Sequence, residues 1–476
     1  MKKRIYLPII VSSLLTFSVL STYLSMLSQT PTQVVVEENV MDIDKVASNK
    51  KEENCEHERK LHFERVEPTL NKPGHIEFYY CCDCYKSFYD FNCAKEIPNS
   101  DLGLDNKLDG RYLSPITGTF SLLSQNIKDY LNAKEDADII EALRNKSSYN
   151  DQAKRTIVWQ SKNAPFVVEV SEDRMFSDFY SYETDNNVFT FEGIFTPGQT
   201  YYYRVKDANN AYILDDLSFR IDDTYLVRLL KVDGISNMRD IGGWSAKDGK
   251  KVLYGKFFRG ANLSSVSESG KEAFLGKLGI KTEIDLRQPN DDAKQSLVDE
   301  RLNYQNCPIW AYTRIIPDYE VYSDEGNPLG FDDATPAGIK KIFDLLANEN
   351  NYPFYAHCAA GADRTGTIVY LINALLGVSY EDLTKDFELT TFSVQGDRYR
   401  SDVDEETMTF TNKGMFRNLT AIWGRMHSVL LTKYGTGNGK LYSAVENYLK
   451  TVCNVSDETI ASVRLNMLGE VVDFSD

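Results

Sequence analysis

Tyr352-Pro353-Phe354-Tyr355-Ala356-His357-Cys358-Ala359-Ala360-Gly361-Ala362-Asp363-Arg364-Thr365-Gly366 is the stretch on which the reading of this chain turns. Its apolar, aromatic run ending at Ala356 predicts a buried strand. Residues 364–376 predict a helix, with Ile368, Tyr370, Leu371, Ala374 and Leu375 on an apolar side. Cys358 therefore falls where a strand gives way to a loop, and the loop feeds a helix N-terminus. That arrangement suits an anion, because loop and first-turn N–H groups point inward and the helix dipole favours negative charge. Ala359, Ala360, Gly361 and Ala362 are small enough for the backbone to curl around a phosphate, and Arg364 can grip two of its oxygens in a bidentate fork. The same positive field favours the thiolate of Cys358, its nucleophilic form.

These parts predict a reaction. The thiolate attacks phosphorus in line, while Arg364 and the amides stabilise the equatorial oxygens. An acid protonates the leaving oxygen, and water then releases phosphate with the same carboxylate acting as base. The scheme calls for no catalytic metal or other cofactor. A cysteine and an arginine six positions apart recur by chance; His-Cys-x-x-Gly-x-x-Arg-Thr-Gly on a strand, loop and helix is far more specific.

The tract resembles the signature of cysteine-dependent protein tyrosine phosphatases, in the version with Asp immediately before Arg that marks a bacterial tyrosine- and lipid-phosphatase family. Three upstream tracts agree: Asn237-Met238-Arg239-Asp240-Ile241-Gly242-Gly243, Phe258-Arg259-Gly260-Ala261, and Gly279-Ile280 leading to Ile284-Asp285-Leu286-Arg287. Downstream, Gly377-Val378-Ser379 and Asp386-Phe387-Glu388-Leu389-Thr390 match as well, and the resemblance runs from about Val232 to Leu468. It implies an α/β domain over 229–476, with a mostly parallel sheet flanked by helices and the site at the carboxyl end of the strand before Cys358. It implies Cys358 as nucleophile, Arg364 as phosphate clamp and Asp363 as general acid, with residues 359–362 lining the anion. Asp240 is a second carboxylate candidate; its alternative is a turn-stabilising pair with Arg239 or Arg287. His357 supports the loop by hydrogen bonding, and Thr365 is placed to hydrogen-bond the sulfur. Arg259 and Arg287 either add positive field or pair with Asp285. Relatives that accept phosphoinositides carry Lys where this chain has Ala362, which leaves phosphotyrosine or a small organic phosphate as the substrate class. The tract 310–336 is polar and acidic, and Asp318, Asp324, Asp332 and Asp333 are reserve acids there.

The rest of the chain surrounds this domain with smaller ones. It has 476 residues, room for about three domains, and its 42% apolar and 26% charged content is that of folded globular protein. A net charge of −17 argues against nucleic acid as a partner. Lys2, Lys3 and Arg4 precede an apolar stretch, so residues 1–29 read as a signal peptide or an N-terminal membrane anchor. Either one places the remainder outside the cytoplasm, secreted or held at the membrane. Residues 30–54 read as a polar linker.

Residues 55–97 hold five of the eight cysteines. Cys55 and His57, followed by Cys81 and Cys84, can supply four tetrahedral ligands to a structural zinc. A disulfide-stapled module is the other reading, which an exported location permits. The tract resembles a short repeat of exported bacterial surface proteins. Residues 98–228 contain short strands between Pro/Gly turns and predict a β-sandwich. Their order, from Trp159 through the Tyr201-Tyr202-Tyr203 strand to Ser218-Phe219-Arg220-Ile221, resembles a fibronectin type III domain. A helical tract at 127–144 does not belong to that fold. The tyrosine stripe reads as strand packing or as a carbohydrate-binding face, and a cell surface is a candidate partner of these outer modules. The chain as a whole thus reads as an exported phosphatase with two accessory modules. The alternative is a pseudophosphatase whose loop binds phosphate-bearing ligands without turnover.

Overall fold

The structure, a computed structural model, describes residues 34–35, 59–65, 74–82, 86–97, 103–104, 117–121, 123–144, 155–159, 161–191, 194–289, 295–317, 331–396, 398–400, 402–404, 406–411 and 419–475. The leader, most of the linker, Cys55, His57, Cys84, Asp318 and Asp324 lie outside the described residues. Among the described residues, no helix is long and apolar enough to cross a membrane.

The N-terminal module is a small antiparallel meander of β1 (Lys60–Phe63), β2 (Phe78–Cys81), β3 (Ser87–Phe88) and β4 (Glu96–Ile97). Cys81, Cys93 and Phe88 pack together in its interior. So small a core buries little apolar surface by itself. Of the four residues proposed as zinc ligands, Cys81 alone is described.

Next come β5 (Gly118–Phe120), helices α1 (Gln125–Asn132) and α2 (Asp136–Arg144), and strands β6 (Arg155–Val158), β7 (Phe166–Ser171), β8 (Tyr180–Thr184), β9 (Val188–Phe191), β10 (Thr200–Lys206) and β11 (Tyr212–Ile221). Strands β8-β7-β10-β11-β5 form one sheet and β9-β6 a second. Both contribute to one core around Trp159, Phe166, Phe191, Tyr203 and Phe219. Along β10 the period of two is strict: Tyr201, Tyr203 and Val205 are buried, while Tyr202, Arg204 and Lys206 face outward. Two of the three tyrosines of the stripe are therefore core residues. Glu169 on β7 is gripped by Arg204 and Lys206 across the sheet.

Helices α1 and α2 do not join that core. Ile127, Tyr130, Ile139 and Leu143 pack instead in the main core of the C-terminal domain, with Trp423, Phe387 and Phe392. The boundary read from the sequence at 228/229 is thereby corrected: the chain leaves the sandwich after β5, contributes a helical hairpin to the C-terminal body, and returns to complete the sandwich. Arg228 ties the same two bodies from the other side. Its guanidinium donates to the carbonyls of Ile194 (2.8 Å) and Phe195 (3.2 Å), and to Asp240 (3.0 Å).

The C-terminal sheet holds β12 (Arg239–Asp240), β13 (Phe257–Gly260), β14 (Thr282–Asp285), β15 (Asn303–Asn306) and β16 (Phe354–His357), in the order β12-β13-β16-β14-β15. All pairs are parallel except β12 with β13. The expected parallel sheet is present, and β16, which carries the decisive sequence, is its central strand. Phe354, Tyr355 and Ala356 are wholly buried, as an apolar run covered on both faces should be. The helices are α3 (Thr335–Ala347), α4 (Asp363–Leu375), α5 (Tyr380–Glu388), α6 (Leu419–Tyr434), α7 (Leu441–Thr451) and α8 (Asp457–Leu468). Helix α4 was expected to be apolar on one side. It is buried all round from Thr365 to Leu375, the core helix on which the other elements close.

Candidate active site

The loop between β16 and α4 is shaped from behind. Asn262 donates from its side chain to the carbonyl of Ala359 (2.9 Å), and Asn237 to that of Ala360 (3.1 Å). Arg259 donates to the carbonyls of Gly361 (2.9 Å) and Ala362 (3.3 Å). Four successive carbonyls are thus drawn to the outer side. In a trans peptide the C=O and the following N–H point in opposite directions, so the N–H groups of residues 360–363 turn to the inner side. That is the concave row of donors an oxyanion needs. Gly361 makes the curl possible: its φ is +67°, and a Cβ there would lie 2.1 Å from the carbonyl oxygen of Gly260. Cys358 sits at the base of the loop, buried, and Arg364 lies half-buried in the first turn of α4.

The Asn237-x-Arg239-Asp240-x-Gly242-Gly243 motif serves this construction. Asn237 takes a φ of +56° and reaches the loop. Arg239 is fully buried, donating to Asn237 Oδ1 (2.7 Å) and to Asp386 Oδ1 (3.0 Å). Arg259 holds the other oxygen of Asp386 at 2.6 Å. Burial alone would raise the Asp386 carboxyl, but the two guanidiniums outweigh it and hold it below the usual range. Sequence reading left Arg259 either to add positive field or to pair with Asp285; the carboxylate it meets is Asp386.

Asp240 proves to be a turn anchor. One oxygen accepts from the Gly242 N–H (2.9 Å); the other accepts from Gly255 N–H (2.7 Å) and Arg228 (3.0 Å). The side chain has no exposed surface, which bars it from meeting a substrate. Its partner is Arg228, rather than the expected Arg239 or Arg287. Gly243, at φ +92°, completes the turn where a Cβ would strike the Leu226 carbonyl at 2.3 Å.

His357 is buried, with Nδ1 3.2 Å from the Cys358 carbonyl and Nε2 3.0 Å from Glu283 Oε1. Both neighbours are acceptors, so whichever ring nitrogen carries a proton has somewhere to place it. Arg287 pairs with Asp285 at 2.8 Å. Thr365 departs from expectation: its hydroxyl is buried and makes no hydrogen bond, to the sulfur or otherwise. The carbonyls in helical register with it, at 361 and 362, already accept from Arg259. Asp332 accepts from Trp310 Nε1 at 2.6 Å, a loop-fixing contact.

Asp363 occupies the rim. Its carboxylate accepts from Arg398 Nε (2.9 Å) and Nη2 (3.2 Å), and from the Tyr312 hydroxyl at 2.5 Å. Burial and the adjacent Asp363 push the Tyr312 phenol far above its ordinary range, so it remains a donor. Sequence reading missed Arg398, Tyr312 and Asn262. Arg398 and Asn262 lie in loops and Tyr312 opens a single 3-10 turn, none with periodicity, and each pairing spans tens to about a hundred residues.

The model of the tyrosine phosphatase family matches residues 230–469, half of the chain and the whole of this site. The chain belongs to the tyrosine phosphatase family. It is 27% identical, over 33% of its length and 61% of the relative's, to a Cupriavidus necator protein for which a tyrosine-protein phosphatase activity is proposed. It is 23% identical to the tyrosine-protein phosphatase of Nostoc commune, over 44% of this chain and 74% of that one. The chain thus spans about three fifths of the first of these relatives and three quarters of the second. Among solved structures, the core catalytic domain of the PP-IP phosphatase SIW14 from S. cerevisiae covers 32% of this chain and 76% of its own, with a TM-score of 0.21 and 14% identity.

Proposed function

We propose that this family member hydrolyses phosphomonoesters through a cysteinyl-phosphate. The observation that carries the reading is the set of four loop carbonyls drawn outward at 359–362, which turns the following amides to the inner side of the loop that follows Cys358. The sulfur attacks phosphorus as the ester P–O bond breaks. Asp363 gives its proton to the leaving oxygen, and Arg364 with the amides carries the equatorial charge. Water then attacks phosphorus, the S–P bond breaks, and Asp363 takes back a proton. With Ala362 in the loop rather than a second cation, the site suits a single phosphoryl group on tyrosine or a small organic alcohol.

The finer reading of the outer parts is also ours. Residues 1–29 export the chain or anchor it, so that catalysis takes place outside the cytoplasm. The sandwich is a fibronectin type III-like module, and the Cys/His module is closed by zinc or by disulfides. Both serve attachment at a cell surface, by protein or carbohydrate contacts.

The test is hydrolysis of p-nitrophenyl phosphate in EDTA by the full chain beside Cys358→Ser. Wild-type turnover that disappears in the serine variant supports the reading. A folded wild-type chain that binds vanadate yet turns nothing over would move the assignment to a phosphate-binding pseudophosphatase.

A further inference from the structure

Asp363 is not held by its own helix. Its carboxylate is held by the Tyr312 hydroxyl on one oxygen and by the Arg398 fork across both, and Arg398 belongs to a strap, residues 398–400, that has neither helix nor strand to support it. The strap is clamped by buried acceptors of the preceding segment. The Arg398 N–H donates to Thr391 Oγ1 at 3.0 Å. Two residues on, the Arg400 N–H donates to Glu388 Oε1 at 2.8 Å, and its guanidinium forks onto both oxygens of Glu388 at 2.9 and 2.6 Å. The Glu388 side chain has no exposed surface. It is completed from an unexpected quarter: the hydroxyl of Tyr130, fully buried on α1, donates to Glu388 Oε2 at 2.8 Å, and its ring lies 5.4 Å from Phe392. A chain of charge-assisted hydrogen bonds thus runs Tyr130–Glu388–Arg400, along the strap, to Arg398–Asp363.

We propose that Arg398 is a positioning residue for Asp363, and that the α1–α2 hairpin, supplied from within the sandwich sequence, holds the strap that presents it. The inference rests on the proposed role of Asp363 as the group that protonates the leaving oxygen. Such a group must keep its oxygen aimed at the ester through both chemical steps, and a guanidinium fork fixes the plane of the carboxylate.

The experiment compares kcat/KM of the full chain and of Arg398→Gln, Arg398→Lys, Tyr130→Phe and Asp363→Asn on two esters. Phenyl phosphate needs its leaving oxygen protonated; dinitrophenyl phosphate departs unaided. General-acid contributions run from about 100-fold upward, so Arg398→Gln is expected to lose at least about tenfold on phenyl phosphate and little on the dinitrophenyl ester. Lysine at 398, a point charge that cannot reproduce the fork, is expected to recover little of the loss, and Tyr130→Phe, which removes one hydroxyl, to shift activity in the same ester-selective sense by about two- to fivefold. An equal loss on both esters, a pure rise in KM, or no loss would overturn the role of Arg398. Wild-type behaviour of Tyr130→Phe beside an ester-selective Arg398→Gln would overturn the part given to the hairpin. Asp363→Asn separates these from the underlying reading: if its loss is the same on both esters, the acid lies elsewhere and the positioning role falls with that assignment.

Discussion

Gly361 sets the curvature of the anion loop, and a side chain there has nowhere to go. An added Cβ meets backbone, not a flexible side chain, and φ is already positive. Gly361→Ala must therefore shift the loop or Gly260, and a displacement of that order costs about 100-fold in kcat/KM. Steady-state kinetics beside a thermal melt will separate this local loss from unfolding. A second residue carries a pH prediction. The His427 ring stacks on Tyr380 at 3.8 Å, and its Nδ1 lies in hydrogen-bond contact with the Tyr370 hydroxyl at 2.8 Å. Burial pushes its pKa down to about 4. The unfolded imidazole titrates near 6.5, so the unfolded state binds the extra proton between those values. The contribution of neutral His427 is whole above pH 6.5 and is lost as pH falls toward 4. Denaturant melts across that window should show His427→Gln with a shallower dependence, by up to about one proton.

Among elements, the construction around Asp386 decides whether the site exists. Strands β12 and β13 each send a buried arginine to this one carboxylate of α5, and Arg259 extends from it to the loop. Asp386→Ala would leave two buried guanidiniums without their shared counter-charge, a loss of about 3–5 kcal/mol. Thermal denaturation should register it, with phosphate or vanadate affinity falling in parallel as Arg259 loses its hold. The strand–loop–helix unit was readable because its pattern is local: an apolar run, small residues, then a helical period. The Asn237 to Gly243 motif was readable as a pattern but not as a mechanism, because Asp240 looks like a reactive carboxylate until Arg228, Gly242 and Gly255 are seen to occupy it. Asp386 lay in a matching segment with nothing local to mark it as the counter-ion of two arginines more than a hundred residues upstream. Thr365 fits the motif equally well whether or not it reaches the sulfur, so only the folded geometry separates the two.

At the scale of the molecule, composition and resemblance marked out the C-terminal body. They misplaced the seam because helices α1 and α2 are contiguous in sequence with strands they do not pack against. A chain beginning at residue 229 would lose Ile127, Tyr130, Ile139 and Leu143 from the main core. Each such buried side chain is worth about 1.5–3 kcal/mol, so that fragment should unfold at markedly lower urea than one beginning near residue 115, or fail to fold. Comparing the two urea midpoints tests the corrected seam. The same routing has a mechanical consequence. The peptide passes between the sandwich and the phosphatase body three times, after Phe120, after Arg144 and after Ile221. A single crossing would be a swivel; three crossings make a bracket. Torque applied to the sandwich is therefore passed to the body that bears the anion loop, and its mouth keeps one heading relative to the sandwich.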